Sequence, residues 1–114
     1  MPLMNDWTRR QWGPLEAFGS AAPDLVLVHG AGEQAAGFRA FVESFPLPAA
    51  AVNLPGHGTS PEPSPPAATP PLAQSIEEMA GAVESALAAL ARPVFLLGHS
   101  MGGAVVIELA LRRH

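Results

Sequence analysis

The chain has 114 residues, 48% of them hydrophobic and 14% charged, and a formal net charge of -4. This length allows one domain at most, and this composition argues against intrinsic disorder. The absence of cysteine excludes a disulfide framework and a thiolate metal site, and the absence of lysine excludes a P-loop. The mild acidity gives no electrostatic footprint for nucleic acid or for an anionic membrane surface.

The N-terminal segment, residues 1–23, carries charges among its first ten residues and lacks the apolar stretch of a signal peptide. Its one structural signal is a predicted edge strand near Leu15–Phe18. The most apolar stretch of the chain, Pro93–Leu111, is interrupted by polar residues and three glycines, so it predicts no membrane span. We therefore expect a cytoplasmic protein.

From residue 24 onward, short apolar runs alternate with helical patterns, which is typical of an α/β fold with a mostly parallel sheet flanked by helices. Leu25–Val28 predicts a strand buried on both faces, because helices cover both sides of such a sheet. Gln34–Phe45 predicts a helix with Phe38, Phe41, Val42 and Phe45 on one stripe. Ala49–Leu54 predicts the next strand.

The second half of the chain continues this alternation after a break. Residues 55–71 hold seven of the 13 prolines and predict an irregular connection. A capping box at Ser75–Glu78 opens the next predicted helix. Pro93–Leu97 predicts a third strand, and Met101–Arg113 predicts a last helix that should be buried, since it is apolar on nearly all sides.

The strongest chemical motif is Gly98-His99-Ser100-Met101-Gly102, a G-x-S-x-G sequence between the third strand and the last helix. A serine at the apex of a sharp strand-to-helix turn projects its Oγ outward, and flanking glycines allow the tight approach of strand and helix. The Met101 N–H lies at the helix N-terminus, where it would face a developing oxyanion. The competing interpretation is a glycine-rich turn with an idle serine, and the flanking strand and helix favour the nucleophile.

Two further loops follow predicted strands. His29-Gly30-Ala31-Gly32-Glu33 stands where an acyl-transfer enzyme places its second oxyanion donor, and the Ala31 N–H is the candidate. We expect His29 to be structural, with its imidazole bonded to the loop backbone. The segment 54–60 predicts a turn in which His57 is a loop histidine rather than a general base.

A competing hypothesis comes from residues 30–35, which match the dinucleotide fingerprint G-x-G-x-x-A between a strand and a helix. That fingerprint requires an acidic residue about 20 residues further on to bind the ribose. The sequence has Asn53 there and no acid between Glu43 and Glu62. The pattern therefore serves neither NAD nor NADP well.

Taken together, the HGAGE, PGHGTS and GHSMGG segments resemble the α/β-hydrolase superfamily, most closely its monoacylglycerol lipase and carboxylesterase-like branch, over residues 24–113. The resemblance implies Ser100 as nucleophile and the backbone amides of Ala31 and Met101 as oxyanion hole, with a small-molecule acyl ester as substrate and no cofactor or metal. Asn53 stands where the family often has an aspartate. Because the elbow residue is serine, hydrolases with an aspartate nucleophile, such as epoxide hydrolases, are disfavoured.

The resemblance also implies an acid and a histidine after the serine. Only Glu108 and His114 follow Ser100 as candidates, and neither is placed to reach its Oγ. We therefore expect residues 24–114 to be the N-terminal half of a hydrolase domain whose C-terminal half is absent, with an exposed strand edge that invites a complementing half or self-association. The alternatives are a catalytically dead hydrolase-fold binding module and a dinucleotide-binding fragment.

Overall fold

The structure, a computed structural model, describes residues 5–58 and 75–113. These residues form one sheet with helices on both of its faces. The strands are β1 (Arg9–Trp12), β2 (Leu15–Gly19), β3 (Leu25–Val28), β4 (Ala49–Val52) and β5 (Phe95–Gly98), and the helices are α1 (Arg39–Ser44), α2 (Ile76–Leu87) and α3 (Met101–Arg113), with a single 3₁₀ turn at Ala35–Phe38 before α1.

The sheet is mixed, with strand order β1-β2-β4-β3-β5. β3 pairs in parallel with both β4 and β5, so that Val28 lies between Val52 and Gly98 and the three carboxyl ends meet at one edge. β1 and β2 form an antiparallel hairpin, and β2 pairs antiparallel with β4. The strand predicted near Leu15–Phe18 is present as β2, but it is not an edge strand, because β1 lies outside it.

The core lies on both faces of the sheet, as a helix-covered parallel strand requires. Val26 and Val28 of β3 pack toward α2 and α3, and Leu27 packs on the opposite face with Val42 of α1. All four residues of β4 are buried, although three of them are alanines. The predicted burial of Leu25–Val28 is confirmed for its last three residues, while Leu25 itself is only partly buried.

Two helix predictions differ in accuracy. The capping box of α2 is present: the Glu78 N–H donates to Ser75 Oγ over 3.0 Å, and the Ser75 N–H donates to Glu78 Oε1 over 3.3 Å. The helix predicted over 34–45 is broken into the 3₁₀ turn and α1. Because three residues rather than 3.6 complete a 3₁₀ turn, the predicted stripe does not stay in register, and Phe41 is left exposed.

The bounds of α3 agree with the prediction, but its expected burial on all sides is wrong. Ile107 is 63% exposed and Leu111 is 73% exposed. Phe95 of β5, which is in register with Leu25 and so faces the side of the sheet opposite to α3, is 78% exposed. None of the residues in 5–58 or 75–113 covers these side chains, and within those ranges no strand pairs with the outer edge of β5.

A buried polar network is centred on Asn53, which immediately follows β4. The Asn53 Oδ1 accepts the Ala35 N–H over 2.6 Å, and its Nδ2 donates to Glu16 Oε1 over 3.0 Å. Glu16 is itself buried and pairs with Arg9 over 2.7 Å. The amide of asparagine can donate and accept at once, and both abilities are used here.

We expect Asn53→Asp to destabilise the fold by about 2–3 kcal/mol at pH 7, because it removes the donor to Glu16 and faces one buried carboxylate with another. The measurement is the urea midpoint at pH 7. Glu16→Gln in the Asn53→Asp background restores a donor and should recover part of the loss. An Asn53→Asp variant as stable as the unchanged chain would contradict this account of the network.

Candidate active site

The chain turns sharply between β5 and α3, and Ser100 lies at the apex. Ser100 has φ 59°, a left-handed conformation that costs an L-residue about 1–2 kcal/mol, and its side chain is exposed. The glycines on either side explain how the turn closes. A Cβ on Gly98 would overlap the Gly102 carbonyl oxygen, and one on Gly102 would overlap the Val28 carbonyl oxygen of β3.

The 29–33 loop, which follows β3, lies directly against this elbow. A Cβ on Gly30 would come within 3.1 Å of Ser100 Cβ and 3.2 Å of the His99 carbonyl oxygen. Gly32 has φ 72°, so the loop also needs a glycine at its tip. The structure thus brings together two segments that are about 70 residues apart in sequence and that sequence analysis had chosen separately.

The two predicted oxyanion donors, the amides of Ala31 and Met101, lie on these two segments. Met101 is the first residue of α3, where a backbone N–H has no partner within the helix and lies at the positive end of the helix dipole. Ala31 is exposed in the turn that follows β3. Within residues 5–58 and 75–113 no acceptor engages either N–H. The two amides therefore stay candidates for the oxyanion donors.

His29 supports the loop from below. Its Nε2 accepts the Leu54 N–H over 3.0 Å, which leaves the proton on Nδ1, and this Nδ1–H donates to the Gly30 carbonyl oxygen over 2.7 Å. Burial lowers the pKa of His29 and outweighs the bond to the Gly30 carbonyl oxygen, which raises it, so the neutral ring is favoured. The expected bonds between this imidazole and the loop backbone are present.

His57 also contacts backbone rather than the nucleophile. Its Nδ1 lies 3.0 Å from the Pro55 carbonyl oxygen, and its ring lies at 50° to that of His29 with the centroids 4.8 Å apart. The last two residues of the predicted turn, Thr59 and Ser60, fall outside the described part of the chain. Nothing in this geometry gives His57 the role of a base for Ser100.

Sequence analysis missed the pairing of Glu33 with His99 at the mouth of the site. The His99 Nδ1 lies 3.1 Å from Glu33 Oε1, and both side chains line a cavity of about 420 Å³ together with His29, Gln34, Gly37 and Phe38. A carboxylate three residues after Gly30 is well placed to accept the Gly30 N–H, and this spacing could have identified Glu33 from the sequence. No local signal connects either residue to His99.

Of the two candidates for the rest of a triad, Glu108 is engaged by a residue of its own helix. Glu108 Oε2 accepts from Arg112 Nε over 3.0 Å in an i, i+4 pair, and Arg112 also donates to the Glu77 carbonyl oxygen over 2.9 Å. His114 lies outside the described residues. The larger cavity, about 710 Å³, is not at the elbow; it opens beside β5 between α2 and α3.

The described residues also bear on a metal site, a membrane-spanning helix and a dinucleotide site. They contain no group of three or more histidine, aspartate or glutamate side chains that could hold a metal ion. None of the helices in that part of the chain is long and apolar enough to cross a membrane. The Asn53 side chain, at the position where a dinucleotide site needs an acid, is buried and bonded to Ala35 and Glu16.

Comparison with solved structures gives the same fold. The esterase Rv0045c of Mycobacterium tuberculosis superposes with a TM-score of 0.80 at 29% identity, over 99% of this chain and 38% of that chain. A bacterial membrane phospholipase A, described as a virulence factor, superposes with a TM-score of 0.71 at 28% identity, over 98% of this chain and 36% of that one. A thioesterase domain from the curacin biosynthetic pathway, at 22% identity, shares the fold with a TM-score of 0.71.

Comparison of sequences agrees with the structures. The chain is 33% identical to the esterase Rv0045c of Mycobacterium tuberculosis over 109 residues, which are 90% of this chain and 33% of that protein. It thus spans about one third of the length of this relative. The model of the alpha/beta hydrolase family matches residues 25–114, from β3 through the elbow and α3. The chain belongs to the α/β-hydrolase family.

Proposed function

We propose that this chain is the nucleophile-bearing part of a serine hydrolase that acts on carboxylic esters or related acyl substrates. Ser100 would attack the acyl carbon, and the Ala31 and Met101 amides would stabilise the oxyanion that forms. The observation that carries the proposal is the exposed Ser100 at φ 59°, held between β5 and α3 against the 29–33 loop. A strained, exposed serine at such a junction is costly for an idle turn and useful for a nucleophile.

The proposed mechanism also needs a base, and the contacts of Glu108 and His29 do not favour either of them for that role. Glu108 is held by Arg112, and His29 is buried with both ring nitrogens bonded to backbone. The acid and histidine of the triad would come from chain beyond residues 1–114. Rv0045c, an esterase by its name, is about three times as long as the segment matched here.

The free edge of β5 is where the remainder of such an enzyme would join. Phe95 and Leu97 are exposed on β5, Ile107 and Leu111 are exposed on α3, and Phe95 also lines the 710 Å³ cavity. Unpaired N–H and C=O groups on an apolar edge favour the addition of a further strand. We infer that a complementing C-terminal part occupies this edge, and that two copies of the chain associate through it when that part is absent.

The test compares the chain alone with a complemented chain, defined as residues 1–114 followed by the C-terminal two thirds of Rv0045c. With p-nitrophenyl acetate, we expect turnover by the complemented chain and about 10⁴–10⁶ less by the chain alone, because triad members act as a unit. Turnover by the chain alone near that of an ordinary esterase, abolished by Ser100→Ala, would contradict the proposed division.

The second candidate is a hydrolase-fold module that binds a ligand or partner without turnover. The Glu108–Arg112 pair, which engages the one acid among residues 101–113, favours it. A complemented chain that folds, as judged by circular dichroism, yet neither turns over ester nor takes up a covalent organophosphate at Ser100 would support the binding module and refute the serine hydrolase.

A further inference from the structure

A single carboxylate oxygen joins the two segments of the candidate site. Glu33 Oε1 accepts the Gly30 N–H over 2.6 Å and lies 3.1 Å from His99 Nδ1. A carboxylate only accepts hydrogen bonds, so the proton of this contact must be on His99 Nδ1. The bond from the Gly30 backbone, followed by that from His99, holds the pKa of Glu33 below its ordinary value, so the carboxylate is charged at neutral pH.

The contact with His99 does more than close a local turn. The turn at 30–33 already has its own backbone bond, from the Glu33 N–H to the Gly30 carbonyl oxygen over 3.1 Å. The bond to His99, by contrast, spans 66 residues and connects the loop after β3 with the loop after β5. His99 immediately precedes Ser100, so the bond ends at the nucleophile elbow itself.

The packing around Gly30 shows how closely the three groups are fitted. A Cβ at Gly30 would lie 2.8 Å from Glu33 Oε1 and 3.1 Å from Ser100 Cβ. The backbone of Gly30 therefore lies between the Glu33 carboxylate and Ser100, with no room for a side chain. Because Glu33 Oε1 accepts the Gly30 N–H, we expect a displacement of this carboxylate to shift the Gly30 amide, and with it the neighbouring amide of Ala31, relative to Ser100.

We propose that Glu33 and His99 are positioning residues, whose hydrogen bond holds the 29–33 loop at a fixed distance from the elbow and so sets the spacing of the Ala31 and Met101 amides. The proposal rests on the proposed function for the meaning of those two amides. Oxyanion donors act only when they meet the developing charge at about 2.7–3.1 Å, so a bond across the site is a direct way to fix their separation. Both side chains are partly exposed, which leaves the core independent of them.

The test follows the backbone amide signals of the ¹⁵N-labelled chain by NMR. In Glu33→Ala, we expect hydrogen exchange at the Gly30 amide to be about tenfold faster, because this amide loses its hydrogen bond to a charged group. We also expect displaced signals at Ser100 and Met101, far away in sequence. In His99→Ala, the displaced signals should be those of Gly30 and Ala31.

Conservative and control variants make the result specific. Glu33→Gln keeps an acceptor oxygen and His99→Gln keeps a donor, so both should leave the signals across the site near those of the unchanged chain. Glu43→Gln removes another partly exposed carboxylate, which pairs with Arg39, and should leave the site unchanged. The effect of Glu33→Ala on Met101 should also disappear in the His99→Ala background.

Changes confined to residues 29–35 in Glu33→Ala, with Ser100 and Met101 unmoved, would overturn the proposal, since Glu33 would then support only its own turn. So would a Met101 effect that persists in the His99→Ala background. Neither readout involves ester chemistry. If the coupling is present and Ser100→Ala keeps ester turnover in the complemented chain, the positioning role stands and the proposed function fails.

Discussion

Ser100→Ala in the complemented chain is expected to lower kcat for p-nitrophenyl acetate by about 10⁴–10⁶, because it removes the atom that attacks the acyl carbon. Alanine is the appropriate replacement at this position. Serine and alanine are both L-residues with a Cβ, so both bear the cost of φ 59° and the elbow backbone is not relaxed. The loss then reports the hydroxyl group rather than a change of strain.

Ser44→Ala is the matched control for this prediction. Ser44 is another exposed serine, and its Oγ donates to the Ala40 carbonyl oxygen within α1, away from the elbow. Its replacement should leave kcat unchanged. Mass spectrometry after treatment with an organophosphate should find the adduct on the peptide that contains Ser100 and none in Ser100→Ala. A Ser100→Ala variant that retains more than about a hundredth of the activity would exclude this serine as the nucleophile.

The fold could be predicted from the sequence where a local pattern determines the structure. The apolar run of β3, the capping box at Ser75 and the G-x-S-x-G junction each specify their own surroundings, and the structure has all three. The α/β class follows from their order along the chain. The edge position of β1 could not be predicted in this way, because strand order depends on pairings between distant residues.

The candidate site was only partly predictable from the sequence, because contacts between distant residues leave no local pattern. Ser100 and Ala31 stand in motifs that require glycine at defined offsets, and such offsets are visible in a sequence. The contact between Glu33 and His99 depends on β3 and β5 lying side by side in one register, so that their following loops meet. The exposure of Ile107 is a similar case: an apolar helix reads as buried, whether or not the protein surface that would cover it is present.

Gly102 and Gly103 are adjacent glycines in the first turn of α3, and we expect opposite effects when each is replaced by alanine. A Cβ on Gly102 would overlap the carbonyl oxygen of Val28 and lie 2.6 Å from that of His29. These atoms belong to the backbone of β3 and its loop and cannot rotate away. Gly102→Ala should therefore force α3 off the sheet and destabilise the chain by about 3 kcal/mol.

Gly103→Ala serves as the control with the same chemical change one residue later. Its Cβ would meet the Gly98 carbonyl oxygen at 3.6 Å, an ordinary van der Waals distance. Without a steric clash, only the higher helix propensity of alanine contributes, so the substitution should stabilise the chain by up to about 1 kcal/mol. Urea midpoints with unchanged m-values measure both effects. Equal effects of the two substitutions would show that close packing of α3 on β3 does not determine the requirement for glycine at 102.

The same contact connects stability with the proposed chemistry. The Val28 carbonyl oxygen that excludes a Cβ at Gly102 also accepts the His99 N–H over 3.0 Å, and the His29 carbonyl oxygen lies at the start of the 29–33 loop. A displaced α3 would carry the Met101 amide with it and move it away from Ala31. In the complemented chain, Gly102→Ala should therefore lower kcat more than the fraction of unfolded protein explains, whereas Gly103→Ala should leave kcat unchanged.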